Sequence, residues 1–401
     1  MSKLRLRPLL GGMVVIPCLV ASLLALQWAR DRHGSSEEAQ ALERMAQLAV
    51  VIGDLLHETQ KERGSSSVYL SSKGTKFGEQ MRAQRLVTDQ VRIRFVEILE
   101  GQRTSWPPHV VATLELANSS LRDIESRRRQ ISTQEITPTD AIAFYTDLNE
   151  RLLESIGSLV ANTADVSLRG TATAYLYFLH AKEKTGLERA QLANVFGTDA
   201  YAPGQLAVVA GLIASQRAYL SVFARMAPPA LLHAYESQMN AMAVADVKRM
   251  EQIALGQTSG FGIDSATWFV TMTKKIELMK GVEDALSAAV RTGARAVVDG
   301  ARTSLIGAIV LAVLMVGAGL AGTLALSISI LRPLRRLRQA VDRVSEGDST
   351  VTIVLGGPYE IRELTEAFRR MTESLRWARS APRTGHTGTF RSVGSRFHTR
   401  S

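Results

Sequence analysis

The chain has 401 residues, and its 48 Lys and Arg against 38 Asp and Glu give a formal net charge of +10. A basic chain of this size raises the possibility of nucleic-acid binding, but the excess lies at the ends, +3 in residues 1–28 and +7 in residues 303–401. Residues 29–302 are neutral overall, so we expect no nucleic-acid partner. A hydrophobic content of 46% excludes a disordered chain, and the single cysteine excludes an intramolecular disulfide.

Two uncharged runs, 9–28 and 303–331, are each long enough to form a membrane-spanning helix. Basic residues precede the first run and follow the second, and such flanks stay in the cytoplasm. These residues are Lys3, Arg5, Arg7, Arg332, Arg335, Arg336 and Arg338. We therefore predict a two-pass protein of a bacterial inner membrane, with a cytoplasmic N-terminus at 1–8, both termini inside and 29–302 exported. A cleaved signal peptide is the alternative for 9–28, but its apolar run is longer than a signal core of about 7–15 residues.

The exported segment is predicted to be helical. Its apolar residues recur at intervals of three and four, the period of one helix face. Thr137-Pro138 predicts the start of one helix, and Asp264 is predicted to cap the start of the last exported helix. No proline interrupts the chain between Asp264 and Pro333. Seven or eight helices are enough for two stacked four-helix bundles. Whether the chain breaks near Asn162 is left open.

Arginines lie on three of the apolar stripes. Arg63, Arg189 and Arg217 each continue a row of core-type residues. A buried arginine needs a partner, and its planar fork suits a small planar oxyanion such as carboxylate or nitrate. The alternative is pairing with a protein carboxylate. Those available are Glu62, Asp89, Glu183 and Glu188.

Several segments carry a family resemblance. LHETQKERG at 56–64, QRLVTD at 84–89 and KEKTGLERA at 182–190 resemble, in this order, the motifs of the nitrate- and nitrite-sensing (NIT) domain. Trp268 followed by TKKIE at 273–277 is similar to its closing helix. The resemblance covers about residues 45–285. It implies an all-helical sensor of two four-helix bundles whose arginines bind the anion between them.

The resemblance also implies the site residues. Arg63 and Arg189 match the family motifs and are the strongest candidate anion ligands. Arg249 is a weaker candidate, and Arg85 and Arg217 are expected to be ligands or supporting ion pairs. No metal site, cofactor or catalytic residue is predicted, because the seven histidines do not cluster and no phosphate loop, dinucleotide fingerprint or nucleophile elbow occurs.

A second resemblance follows the second run. Apolar residues from Leu334 to Val344 and from Ile361 to Leu375 step by three and four, with Glu346-Gly347-Asp348 between the two series. Residues 327–379 resemble the HAMP linker of bacterial receptors, a parallel coiled coil that forms when two chains associate. A homodimer is therefore predicted. The basic tail at 380–401 is expected to be disordered or to lie against anionic lipid.

The predicted function is a membrane receptor, not an enzyme, resembling the N-terminal half of a chemoreceptor or sensor kinase. It would sense nitrate or nitrite and relay the signal through the second span to the HAMP linker. A receptor for another small anion, such as a carboxylate, is the alternative. No output module follows the linker, so the prediction includes either a truncated receptor fragment or a cytoplasmic signalling partner in trans.

Overall fold

The computed structural model describes residues 6–346, 348, 351–352 and 358–380. Within these residues the secondary structure is helical, without strands apart from an isolated bridge between Ala200 and Ser259. The helices are α1 Leu6–Ser71, α2 Gly78–Gln102, α3 Pro108–Arg122, α4 Ile124–Ser132, α5 Pro138–Ala161, α6 Val166–Thr198, α7 Gln205–Met226, α8 Pro229–Met239, α9 Met242–Gly256, α10 Ser265–Leu326, α11 Arg332–Ser345 and α12 Tyr359–Ser380. The predicted all-α class is confirmed. The predicted tail after residue 380 and most of the HAMP connector lie outside the described residues.

Helix ends follow the predicted caps. Thr137 Oγ1 accepts a hydrogen bond from the Asp140 N–H at 3.1 Å, with proline in the first turn of α5. Asp264 Oδ2 accepts from the Thr267 N–H at 2.7 Å, just before α10. The chain does break near Asn162: α5 ends at residue 161, and α6 begins at residue 166 behind the capping side chain of Asp165. Each cap satisfies a backbone N–H that the helix itself cannot.

The chain divides into a large unit, residues 31–306, and a small unit, residues 1–30 with 307–401. Among the described residues, two helices are long and apolar enough to cross a membrane: α7, which contains a window of mean hydropathy 1.5, and the run Ser265–Ser345, which contains one of 2.5. The second contains the predicted span 303–331. For the predicted span 9–28, the backbone lies within α1, and the side chains of 9–18 lie outside the described part.

The large unit has two hydrophobic cores. The first draws side chains from α1 to α6, from α10 and from Phe223 of α7, where Phe178, Phe223 and Tyr235 form a ring cluster with centroids 5.1–6.1 Å apart. The second is built by α6, α7, α9 and α10. There Trp268 and Phe261 each meet the ring of Phe196 edge-on, with centroids 5.5 Å away. Because α6, α7 and α10 contribute to both cores, they connect the two packing units.

One close approach in the first core requires glycine. A Cβ added at Gly53 of α1 would collide with the hydroxyl of Tyr175 on α6. That hydroxyl is buried and makes no hydrogen bond with any described residue. By contrast, a Cβ at Gly211 of α7 would meet nothing within 4 Å.

These glycines give a matched test of helix packing. Gly53→Ala should destabilise the protein by about 1–3 kcal/mol through overpacking. Gly211→Ala should stabilise it by up to about 1 kcal/mol, because alanine favours an exposed helix. The free energy of unfolding of the 31–306 fragment in urea measures both. In a Tyr175→Phe background the penalty of Gly53→Ala should shrink; an unchanged penalty would contradict the packing described.

Candidate anion-binding site

A polar layer separates the two cores. On α6 the apolar side chains of the first core end at Ala181, and those of the second begin at Leu192. The buried residues between them are Lys182, Glu183, Thr185 and Glu188. Facing positions of α1 and α10 are also polar and buried, namely Thr59, Glu62, Arg63, Ser66, Lys275 and Glu283. The motif segments at 56–64, 182–190 and 273–277 therefore meet in this layer.

Arg63 of α1 lies in the layer and is held by a carboxylate. Its two terminal nitrogens donate to Glu183 of α6, at 2.5 and 3.1 Å, and Nη1 also donates to Thr146 at 3.0 Å. Glu183 accepts further hydrogen bonds from Gln60 at 2.7 Å and from Asn149 at 3.3 Å. Such a buried bidentate pair leaves neither charge uncompensated.

Arg189 of α6 is placed differently. Its Nη1 donates to Thr273 Oγ1 of α10 at 2.9 Å, and its guanidinium carbon lies 4.6 Å from the centre of the Phe269 ring. Among the described residues, no carboxylate oxygen comes within 4 Å of this guanidinium. Burial, and then the neighbouring Arg63 charge, lower the pKa of Arg189 to about 10. Arg189 is thus a partly buried cation that lacks an anionic partner among the described residues.

Two glycines let the arginine-bearing helices approach each other. A Cβ at Gly186 would lie 3.2 Å from Nη2 of Arg63, and a Cβ at Gly64 would lie 3.2 Å from Nη2 of Arg189. Each arginine therefore extends across the backbone of the opposite helix at a glycine. This reciprocal arrangement explains why both motifs combine arginine with glycine within four residues.

A cavity of about 330 Å³ opens beside the two arginines, between α1, α6 and α10. Five of its lining residues are basic and one, Glu277, is acidic. The lining residues are His57, Gln60, Lys61, Arg63, Lys182, Gly186, Arg189, Thr273, Ile276, Glu277 and Lys280. With water occupying about 30 Å³ per molecule, the cavity has room for a small anion together with several waters. Its lining favours negative charge.

Two lysines of the cavity wall, Lys182 and Lys280, pair with carboxylates of α10. Lys182 is fully buried and pairs with Glu283, and its Nζ lies 3.2 Å from Nδ1 of His57. Because an ammonium group can only donate, Nδ1 accepts and the hydrogen of neutral His57 sits on Nε2. Burial and the lysines, Lys182 first, lower the pKa of His57 to about 2, so this ring stays neutral. Burial disfavours the charge of Lys280, but Glu283 and Asp284 outweigh it and raise its pKa.

Arg85, predicted as a ligand or supporting ion pair, lies in a separate network around Glu62. Its Nε is 3.8 Å from Glu62, which also accepts two hydrogen bonds from Arg128, at 2.7 and 2.8 Å, and one from the Tyr145 hydroxyl at 2.7 Å. Burial raises the pKa of Tyr145 well above its usual value, and Glu62 raises it further. Arg85 does not line the cavity and takes the supporting position.

The other two predicted arginines lie away from the cavity. Arg217 is exposed on α7, and its neighbour Gln216 is the residue that turns inward. Arg249 is 70% exposed and pairs with Asp246 on its own helix at 3.2 Å. Of the five predicted ligands, the fold brings Arg63 and Arg189 together. We therefore do not include Arg217 and Arg249 in the site.

Sequence reasoning did not select several groups that form the site. His57, Lys182 and Thr273 lie within the three motif segments, but none of them is predicted as a ligand. Lys280 lies outside these segments, and its position depends on how α1 and α10 pack. Arg128 stands in a run of three arginines, of which it is the buried one.

A second buried cluster adjoins the layer on the side of the second core. Lys275 donates to Glu251 at 3.2 Å and to Gln216 at 3.1 Å, and Gln216 donates to Glu188 at 3.0 Å. Lys275 thus pairs directly with Glu251, while Glu188 is connected to it through Gln216. Burial, followed by the charge of Glu251, raises the pKa of Glu188 to about 8. Glu188 therefore keeps a proton at neutral pH. No group of three or more histidine, cysteine or carboxylate side chains suited to a metal occurs in the part of the chain searched.

Comparison with known proteins gives two family matches. The family model described as nitrate and nitrite sensing matches residues 54–291, and the HAMP domain model matches residues 325–377. A nitrate regulatory protein of Klebsiella oxytoca is 24% identical over 273 residues, which cover 68% of this chain and 69% of that protein. The methyl-accepting chemotaxis protein TlpA of Bacillus subtilis strain 168 is 37% identical over 78 residues, 20% of this chain and 12% of that protein.

One solved structure matches the fold. The NasR transcription antiterminator aligns with a TM-score of 0.63 at 21% identity, covering 88% of this chain and 95% of that chain. At this level of identity the match shows a shared helical fold, in agreement with the fold class predicted from the sequence.

The Glu188 cluster makes stability depend on pH. The folded state holds its proton up to about pH 8, whereas the unfolded chain releases it near 4.5, so the free energy of unfolding falls as pH rises through this window. Glu188→Gln should remove this loss. We expect similar stability of the two proteins at pH 5 and an advantage of the variant on the order of a few kcal/mol at pH 8.

Urea unfolding of the 31–306 fragment between pH 5 and pH 8.5 measures the difference. Glu154→Gln, the same change at an exposed position of α5, is the control and should show no such trend. If the free energy of unfolding changed with pH in the same way for Glu188→Gln and for the original protein, this would contradict a proton held at Glu188.

Proposed function

Because the chain belongs to the nitrate- and nitrite-sensing family, whose model covers 54–291, and also carries a HAMP domain, we propose that it is a signal-transduction receptor for nitrate or nitrite. The anion binds in the cavity between α1, α6 and α10. The observation that carries this proposal is Arg189, a partly buried guanidinium that faces a basic cavity without a carboxylate partner among the described residues.

Arg189 is the primary ligand. One terminal nitrogen of Arg189 donates to Thr273, and the Phe269 ring packs against the planar face of the guanidinium. These contacts hold the guanidinium in place before an anion binds. An oxyanion in the cavity supplies the charged partner that this partly buried guanidinium lacks, and charge-assisted hydrogen bonds are among the stronger ones in proteins. On the same wall Lys182 and Lys280 are cations whose ion pairs with Glu283 offset part of their charge, and His57 adds a neutral N–H donor.

Arg63 has a different role. Its terminal nitrogens already donate hydrogen bonds to Glu183, so an anion that reaches Arg63 must compete with this carboxylate. Glu183 acts as an internal anion that holds Arg63 between α1 and α6 until a ligand binds. The affinity for nitrate is therefore set partly by how firmly Glu183 holds Arg63.

The signal passes along the helices that line the cavity. An anion held by Arg189 draws α6 towards α10 and α1, and it favours whichever helix packing binds it more tightly. From the cavity, α10 continues to residue 326 and α1 reaches back to residue 6. A change in packing at Thr273 can therefore move along α10 through the apolar run 303–331 to the HAMP domain.

The membrane placement follows from charge and hydropathy. The run Ser265–Ser345 contains a window of mean hydropathy 2.5, with 6% of it buried within the protein. Arginines follow residue 331 immediately and stay in the cytoplasm. These features support a location in the cytoplasmic membrane of a bacterium, with 29–302 exported and the HAMP domain inside.

The HAMP helices require a second copy of the chain. Val341, Leu364 and Met371 belong to the apolar seams of α11 and α12, yet they are 39%, 54% and 48% exposed in a single chain. Heptad seams of this kind are buried when a parallel coiled coil forms. The receptor is a homodimer that passes its state to a cytoplasmic signalling partner.

A receptor for a small carboxylate is the second candidate. The cavity volume of about 330 Å³ exceeds what one nitrate ion needs, and arginine binds carboxylate and nitrate through the same fork. The ligand panel of the first experiment therefore includes acetate and succinate.

Substituting Arg189 tests the site. Arg189→Gln should weaken nitrate binding by about 10- to 100-fold, the loss expected for a charge-assisted hydrogen-bonding partner. Isothermal titration calorimetry of the 31–306 fragment with nitrate, nitrite, chloride, acetate and succinate measures the affinity.

Arg217→Gln is the matched control, because it removes the same charge at an exposed position of α7 and should leave the affinity unchanged. Heat from acetate or succinate alone would favour the second candidate. Equal losses in the two variants would place the anion outside this cavity.

Substituting Glu183 tests the competition. Glu183→Gln removes the internal anion and leaves Arg63 without a charged partner, so nitrate affinity should rise by about tenfold. The ligand-free variant should be less stable than the original, and nitrate should restore more of its melting temperature. Glu154→Gln controls for the change in net charge. Unchanged or weaker binding in Glu183→Gln would show that Glu183 does not oppose the ligand.

A further inference from the structure

The helix that follows the apolar run 303–331 carries a row of unpartnered arginines. Arg332, Arg335 and Arg336 are all exposed, and none forms an ion pair with another described residue. The sequence contains no acidic residue between Asp299 and Asp342, so no carboxylate stands near them along the chain. This positive charge has no internal partner on its own helix.

The three arginines share one side of α11. At about 100° per residue they fall within roughly a third of the helix circumference. The apolar seam of the HAMP domain, which includes Leu334 and Leu337, lies on the opposite side, and Ala340 is buried. Dimerisation through the seam therefore leaves the arginine side open.

The arginines also follow the apolar run directly. Residues 332–336 extend about 6 Å along the helix beyond the end of the apolar run. The polar headgroup region of a bilayer occupies about 5–8 Å on each side of the hydrocarbon core. Guanidinium groups at this level meet lipid phosphates, which they bind through two parallel hydrogen bonds.

The backbone at this level is distinctive as well. Residues Ser327–Leu331 form a π-helix, and the Arg332 N–H donates to the carbonyl of Ser327, five residues back. Pro333 has no N–H to offer, so the regular pattern cannot continue through it. The wider turn therefore ends where the row of arginines begins.

We propose that Arg332, Arg335 and Arg336 form a binding surface for the phosphate headgroups of anionic lipids in the cytoplasmic leaflet. This contact holds the start of the HAMP domain at the membrane surface. The proposal rests on the membrane placement given above and is independent of the anion bound by the large unit.

The test compares lipid selectivity of the full chain in bilayers. The protein is reconstituted in phosphatidylcholine vesicles, and spin-labelled phosphatidylglycerol or spin-labelled phosphatidylcholine is added in trace amounts. Electron paramagnetic resonance gives the fraction of each label that the protein immobilises. We expect a preference for phosphatidylglycerol of at least about fivefold at 0.1 M salt, the effect of one surface arginine, and a marked fall at 1 M salt.

Substitutions distinguish binding by these three arginines from a general effect of positive charge. The triple substitution Arg332→Gln, Arg335→Gln and Arg336→Gln should bring the preference close to one. A control triple, Arg343→Gln, Arg362→Gln and Arg370→Gln, removes the same charge beyond the headgroup level and should keep the preference. The triple substitution Arg332→Lys, Arg335→Lys and Arg336→Lys retains the charge and should also keep most of the preference for phosphatidylglycerol. This variant covers the case in which the glutamine variant inserts poorly.

The outcomes are distinguishable. Equal immobilisation of the two labels by the original protein would overturn the lipid surface while leaving the membrane placement intact. A preference that survives the glutamine triple would also overturn it. No immobilised lipid of either kind would instead show that the chain does not span the bilayer.

Discussion

The cost of burying arginine charge between two hydrophobic cores governs the large unit. Arg63 and Arg189 cross the interface of α1 and α6 over a pair of glycines, and each must be compensated. Arg63 is compensated by Glu183, while Arg189 faces a basic cavity. One charge is thus satisfied within the fold, and the other is left for a ligand. The proposed sensor function depends on this asymmetry.

The charges of buried carboxyl groups are balanced by cations in the cluster around Glu62 and are not balanced in the cluster around Glu188. Around Glu62, Arg128 donates both to that carboxylate and to Asp89, and these bonds outweigh burial and raise the pKa of Arg128. Around Glu188, Lys275 pairs with Glu251 and is linked to Glu188 through Gln216, and burial raises the pKa of Glu188. The first cluster fixes the packing of α1 at any physiological pH. The second makes the packing of α6 on α9 and α10 sensitive to pH.

Much of this architecture could be predicted from the sequence, because helix periods, caps and proline positions are local. Thr137 and Asp264 cap helices as predicted, and the arginine motifs identify the helices that meet. The roles of individual arginines could not be predicted in this way. Arg217 lies one residue from the inward Gln216, about 100° around the helix, and a stripe read at steps of three or four cannot separate the two. The pairing of Arg63 with Glu183 depends on contacts 120 residues apart.

A crystal structure of the 31–306 fragment grown with nitrate tests the central claim most directly. The account predicts a planar anion in the cavity, hydrogen-bonded to Arg189 and close to Thr273, with Glu183 displaced from at least one nitrogen of Arg63. Nitrate bound at another surface, or an empty cavity at concentrations that give binding heat in solution, would contradict it.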